Sequence, residues 1–170
     1  VVNKIINLIG EDRNTTIIDG NGTGDVVNVT ADWVNISGFT IRNSSSVYMS
    51  GGLKIYSVHN GIYNCNFSYN WNGIWSYQSG HNIIINNIVS NNNYNGILSY
   101  ESDYDNITNN TASNNNGCGI RLMGSNSNCI TDNVVSNNGK GIYLLLSSNN
   151  NITNNTASNN NGCGICMYNL

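Results

Sequence analysis

The peptide NITNNTASNNNGCGI stands at Asn106–Ile120 and again, unchanged, at Asn151–Ile165, a separation of 45 residues. The segment between the copies, CITDNVVSNNGKGIYLLL (Cys129–Leu146), follows the same plan: an Ile, a polar pair, an Asn-rich turn, then Gly-Ile. The true period is therefore half of 45, a unit of 22 or 23 residues. Following the Gly-Ile pair gives Gly73-Ile74, Gly96-Ile97, Gly119-Ile120, Gly141-Ile142 and Gly164-Ile165, with Gly52-Leu53 before them. A second apolar column runs Ile36, Ile62, Ile84, Ile107, Ile130, Ile152, and a third Ile41, Phe67, Val89, Ala112, Val135, Ala157.

Short apolar pieces separated by Gly/Asn turns and repeating at this length indicate a solenoid. The spaced Leu pattern of leucine-rich repeats is absent, and helical repeats need longer units and far less Asn, a poor helix former. The expectation is an all-β chain, a parallel β-helix of about seven rungs of 22–23 residues in a single domain over residues 1–170. Rungs stack about 4.8 Å apart, so each column becomes a ladder inside the coil. One such ladder is Asn87, Asn110, Asn133 and Asn155, preceded by Phe39 and Cys65, whose amides are expected to bond along the stack.

Composition agrees. The chain has 39 Asn, no Pro and 9% charged residues, yet 39% hydrophobic residues. It is polar without being charged, unlike disordered chains, and should fold. A net charge of −3 without a basic stripe argues against nucleic acid as partner. No apolar run of 18 residues predicts a membrane span.

The repeat I-T-N-N-T-A-S-N-N-N-G-x-G-I resembles the right-handed parallel β-helix repeats of NosD-like proteins, part of a wider group of carbohydrate-binding proteins and sugar hydrolases. The piece INLIGEDRNTTIIDGNGTGDVVNVTADWVNISGFTIRNSS (Ile6–Ser45) is similar to the first rungs of such domains in archaeal surface proteins. The resemblance covers nearly the whole chain. It implies the right hand of the coil and an extracellular or cell-surface location, and it is specific for fold rather than activity, because the scaffold hosts lyases, hydrolases, epimerases and non-enzymatic surface layers. Measured against that family neither terminus carries an evident cap, which suits both a fragment of a longer solenoid and ends that pair with other copies.

Side chains alternate across a strand. If the Gly-Ile isoleucines point inward, Lys54, Trp75, Leu98, Arg121, Tyr143 and Cys166 point outward, and two positions on so do Tyr56, Tyr77, Tyr100, Met123, Leu145 and Tyr168. Tyr56, Trp75, Tyr77, Leu98, Tyr100, Tyr143 and Tyr168 thus form an exposed strip suited to a second protomer or a glycan. Trp71 and Tyr94 share a turn column beside it. A further column, Trp33, His59, His81, Tyr104, stacks two imidazoles one rung apart, so His59 and His81 are candidates for a metal as well as for simple turn stacking.

The Asp19–Asp25 run DGNGTGD and the cluster Glu101, Asp103, Asp105 are candidate Ca²⁺ positions, with solvated turns as the alternative; otherwise no cofactor is expected. Among five cysteines, Cys118 and Cys163 share a column two rungs apart, roughly 9.6 Å, beyond the ~7 Å reach of a disulfide. Register therefore offers no internal bridge. The cysteines are free thiols, or Cys118, Cys163 and Cys166 form intermolecular disulfides. Paired carboxylates and long loops walling a groove are not evident, so catalysis is not expected. Two readings remain: a non-enzymatic surface solenoid that self-associates end to end or side by side in a layer, sheath or filament, and a carbohydrate-binding or polysaccharide-processing domain of a larger secreted protein.

Overall fold

A computed structural model describes residues 1–169; Leu170 lies outside the described residues. Among them are 21 short strands and no helix, arranged in three parallel sheets of seven. The first sheet stacks Asn7–Ile9, Asn35–Ser37, Gly61–Tyr63, Ile83–Ile85, Asn106–Thr108, Cys129–Thr131 and Asn151–Thr153. The second stacks Ile17–Asp19, Thr40–Arg42, Asn66–Ser68, Ile88–Ser90, Thr111–Ser113, Val134–Ser136 and Thr156–Ser158. The third holds the longest strands: Val27–Val29, Gly51–Ile55, Asn72–Tyr77, Ile97–Tyr100, Cys118–Met123, Lys140–Leu145 and Ile165–Tyr168. Each rung contributes one strand to each sheet, giving seven turns of β-solenoid.

The three apolar columns read from the repeat are the three inner faces. Ile84 pairs in register with Ile62 and Ile107, Val89 with Phe67 and Ala112, Ile97 with Ile74 and Ile120. All nine are fully buried. Side-chain size steps down along the second column, from Phe67 through Val89 to Ala112.

The doubled asparagines have a division of labour. In Asn109-Asn110 and Asn114-Asn115 the first residue takes positive φ (54° and 56°) and turns the corner between sheets. Asn tolerates this left-handed conformation better than other residues with a side chain. The second points inward and is 1% exposed. Its Oδ1 caps the backbone N–H of its counterpart one rung back: Asn87 N–H donates to Asn110 Oδ1 at 3.0 Å, and Asn110 N–H to Asn133 Oδ1 at 2.9 Å. Its Nδ2 donates to a core carbonyl, as Asn110 does to Ile84 O at 2.8 Å. The corner backbone, where strand pairing stops, is thereby satisfied without water.

The sequence reading anticipated one such ladder; the structure has three. Asn70, Asn92, Asn115, Asn138 and Asn160 form the second, and Asn60, Asn82, Asp105, Asn128 and Asn150 the third. A buried serine ladder, Ser79, Ser102, Ser125 and Ser147, lines a fourth corner.

Candidate functional site

The outward column of the third sheet is in the expected register. Lys54 pairs with Trp75, Trp75 with Leu98, Leu98 with Arg121, and Arg121 with Tyr143; alongside run Tyr77, Tyr100, Met123, Leu145 and Tyr168. It is not a flat exposed strip, however. Trp75 is only 2% exposed and Leu98 8%, although both point away from the core. Two aromatic walls cover them. On one side Tyr100 stacks on Tyr77 with centroids 5.6 Å apart, and Tyr56 meets Tyr77 edge-on at 5.8 Å. On the other, Trp71 and Tyr94 lie 5.7 Å apart, and Tyr48 meets Trp71 edge-on at 6.3 Å.

Tyr48 and Met49 come from the segment between Thr40–Arg42 and Gly51–Ile55, a longer connection than later rungs have at the same corner. Sequence reasoning found no loop long enough to wall a groove. The correction is that this connection suffices, because the rungs are so regular that a few additional residues stand proud of the surface.

The result is a cleft along the outer face. One cavity of about 310 Å³ is framed by Tyr48, Met49, Trp71, Tyr77 and Tyr100, with Trp75, Leu98 and Arg121 at its base. A second of about 360 Å³, sharing Tyr94 and Arg121, extends past Cys118 to Lys140 and Tyr143. No carboxylate lines either cavity among the described residues, so the cleft holds no side chain for carboxylate acid–base chemistry. Trp75 Nε1 and Arg121 Nε are buried without a hydrogen-bond partner. Buried donors left unmade are costly, and both belong to residues of this cleft.

The other candidates are placed as follows. Trp33, His59, His81 and Tyr104 form a column at the corner preceding the first sheet, with centroids 4.3, 5.1 and 4.9 Å apart; the outer pairs are stacked and the two imidazoles are tilted by 31°. All four have positive φ, 54° to 61°. The imidazoles are thus sandwiched between rings, and among the described residues no three His, Cys, Asp or Glu side chains converge as metal ligands. The Glu101–Asp105 cluster is pulled apart. Glu101 accepts from Gln78 Nε2 at 2.8 Å on the surface, Asp103 caps Asn126 N–H at 2.6 Å, and Asp105 is an inner ladder residue, 1% exposed. Asp19 accepts from Arg42 Nε at 2.8 Å and Asn43 Nδ2 at 2.9 Å. The Asn21 backbone N–H, then Asn43 and Arg42, hold its pKa at about 2.

The cysteine expectation needs correcting in part. Cys163 and Cys166 are bridged within the chain, their Cα atoms 6.0 Å apart. Column register misses this because the bridge spans the turn at Gly164 rather than two rungs. Cys118 is a free thiol, 7% exposed at the edge of the cleft. Burial pushes it up, while Arg121 and Lys140 pull the other way.

Comparison with known proteins gives one match. The family model described as a right-handed beta helix region matches residues 17–170, and the chain belongs to that family. No curated protein and no solved structure matches it. No helix of the described chain is long and apolar enough to cross a membrane.

Proposed function

From its place among right-handed β-helices, we propose that this chain is a polysaccharide-binding solenoid, the cleft on the outer face of its third sheet being the binding site. The observation that carries this reading is the bounded cleft itself. Two aromatic ladders wall a trough whose base holds Trp75, Leu98 and the guanidinium-bearing side chain of Arg121. Aromatic walls with a few convergent polar groups are the usual make-up of a ligand site. The trough runs along the solenoid axis, so it suits an extended chain rather than a compact metabolite. A resemblance to NosD-like repeats, and an extracellular or surface location, fit the same reading.

The test is an array of neutral, carboxylated and sulfated oligosaccharides, followed by calorimetry on the best binder. Trp71→Ala and Tyr77→Ala each weaken binding about tenfold or more while leaving the thermal midpoint within a few degrees. Absence of binding to every class would overturn the reading.

Self-association in a layer, sheath or filament is the second reading. What favours it is the exposed trio Val47, Tyr48 and Met49, at 66%, 70% and 45%, on the cleft's rim. Light scattering distinguishes the two: a concentration-dependent mass that Tyr48→Ser abolishes supports association, whereas a constant monomer mass with glycan retention supports binding.

A further inference from the structure

Lys54, Arg121 and Lys140 are three of the six basic residues of the chain, and all three sit on the outer face of the third sheet. This is a concentration of positive charge on one face of a protein whose net charge is −3. None of the three is in an ion pair; among the described residues the salt bridge is Arg42–Asp19, on the second sheet.

Two of the cations converge at one end of the cleft. Arg121 pairs in register with Tyr143, and Lys140 opens the Tyr143 strand. Lys140 Nζ lies 4.0 Å from the Tyr143 ring centroid and Arg121 Cζ 5.6 Å from it, so both cations gather about one ring. The cavity they line, about 360 Å³, contains no carboxylate. Arg121 Nη1 donates to Tyr94 Oη at 3.0 Å and Nη2 to Met123 Sδ at 3.8 Å, which holds the guanidinium in place. Four backbone N–H groups around the cavity are already committed. Gly117 N–H donates to Tyr94 O, Lys140 N–H to Gly117 O, Gly139 N–H to Asn115 O and Cys118 N–H to Asn95 Oδ1. The two cationic side chains are the positively charged groups of this cavity.

We propose that this cavity is an anion subsite, in which Lys140 and Arg121 take a carboxylate or sulfate carried by the polysaccharide lying in the cleft. A cavity with two half-buried cations and no acid is complementary to an anion and to little else. Arg121 contributes directional hydrogen bonds and Lys140 a mobile point charge. The inference rests on the reading of the cleft as a glycan site, but the anion chemistry can be tested separately from it.

The experiment has two arms, each run on the wild-type chain and on Lys140→Gln. In the first, amide shifts are followed by NMR while sodium sulfate, or sodium acetate, replaces chloride at constant ionic strength. Saturable movement of the Gly117, Cys118, Gly139 and Lys140 amides is expected, and its loss in Lys140→Gln. In the second, calorimetry compares neutral, carboxylated and sulfated oligosaccharides of equal length. The acidic ones bind at least tenfold more tightly, an advantage that falls with added salt and shrinks about tenfold in Lys140→Gln. The ratio of carboxylated to sulfated affinity names the group. Oligosaccharide binding that ignores ligand charge, with no saturable sulfate or acetate shift, overturns the subsite and leaves the glycan cleft standing. A saturable anion shift without oligosaccharide binding leaves the anion site standing and removes the polysaccharide from it.

Discussion

Replacing Asp105 by Asn should stabilise the protein at neutral pH and do nothing in acid. Asp105 is the one carboxylate in a ladder otherwise built of Asn60, Asn82, Asn128 and Asn150. It is 1% exposed, with Oδ1 accepting from Asn82 N–H at 2.9 Å and Oδ2 from the hydroxyls of Ser76 at 3.1 Å and Ser99 at 3.4 Å. Burial raises its pKa from 3.8 to about 6, and these hydrogen bonds offset only part of that effect. Below pH 3.8 the folded and unfolded chains are both protonated here, and the residue costs nothing. Between 3.8 and 6 the folded chain keeps a proton that the unfolded chain has lost, so stability falls as pH rises. Above 6 the penalty is constant, about 3 kcal/mol at 1.36 kcal/mol per pH unit.

Asp105→Asn removes that penalty. The new amide has a precedent in the same pocket, where Asn82 Nδ2 donates to Ser76 Oγ and Ser79 Oγ. It also supplies a side-chain donor to Asn128 Oδ1, which accepts the backbone N–H of residue 105 at 2.7 Å. For a chain of this size a gain of ~3 kcal/mol raises the thermal midpoint by about 6–12 °C. Denaturant melts of both proteins at pH 3.5 and pH 7.5 provide the assay. Asp19, held low on the surface, titrates alike in both and cancels from the difference. Equal gains at the two pH values, or a loss at pH 7.5, would refute the reasoning.

The ladders and the close rung packing make other mutants informative. Asn110→Ala strands the Asn87 N–H and opens a gap beside Ile84 O, and should cost about 2–4 kcal/mol in urea melts. Gly96→Ala places a methyl 2.5 Å from Gly119 O, a backbone atom of the next rung, and should lower the midpoint by several degrees. Ile120→Ala, in the centre of the core, should cost about 2–5 kcal/mol. By contrast Asn109→Gly keeps the corner conformation, so its midpoint should stay within about 3 °C of wild type in a thermal melt.

The fold was legible because a solenoid writes its geometry into the period. Residues stacked in space recur at 22 or 23 positions, so Ile84, Ile107 and Ile130 could be aligned by counting. The corners were less legible. Asn109 and Asn110 are chemically identical, yet one turns the chain and the other is buried, and only φ distinguishes them. The Asp105 ladder was missed because its members interleave with the surface column of His81 and Tyr104. One signal for it was present: Ser76 and Ser99 occupy a core column that elsewhere holds Ile55, Leu122 and Leu144, marking a polar pocket. The register of the outer strip was also legible, but its shape was not. Whether Trp75 is exposed depends on where the rings of Tyr48, Trp71 and Tyr77 fall, which alternation along a strand does not specify.

Occupancy of the aromatic cleft can be read from tryptophan emission. Trp71 and Trp75 line the cleft, while Trp33 stacks on His59 elsewhere. In Trp33→Phe every indole reports from the cleft. Titration of that variant with the oligosaccharides retained on the array should give a saturable shift in emission, with the same dissociation constant as calorimetry. Calorimetric binding with unchanged Trp71 and Trp75 emission would place the ligand elsewhere and contradict the account.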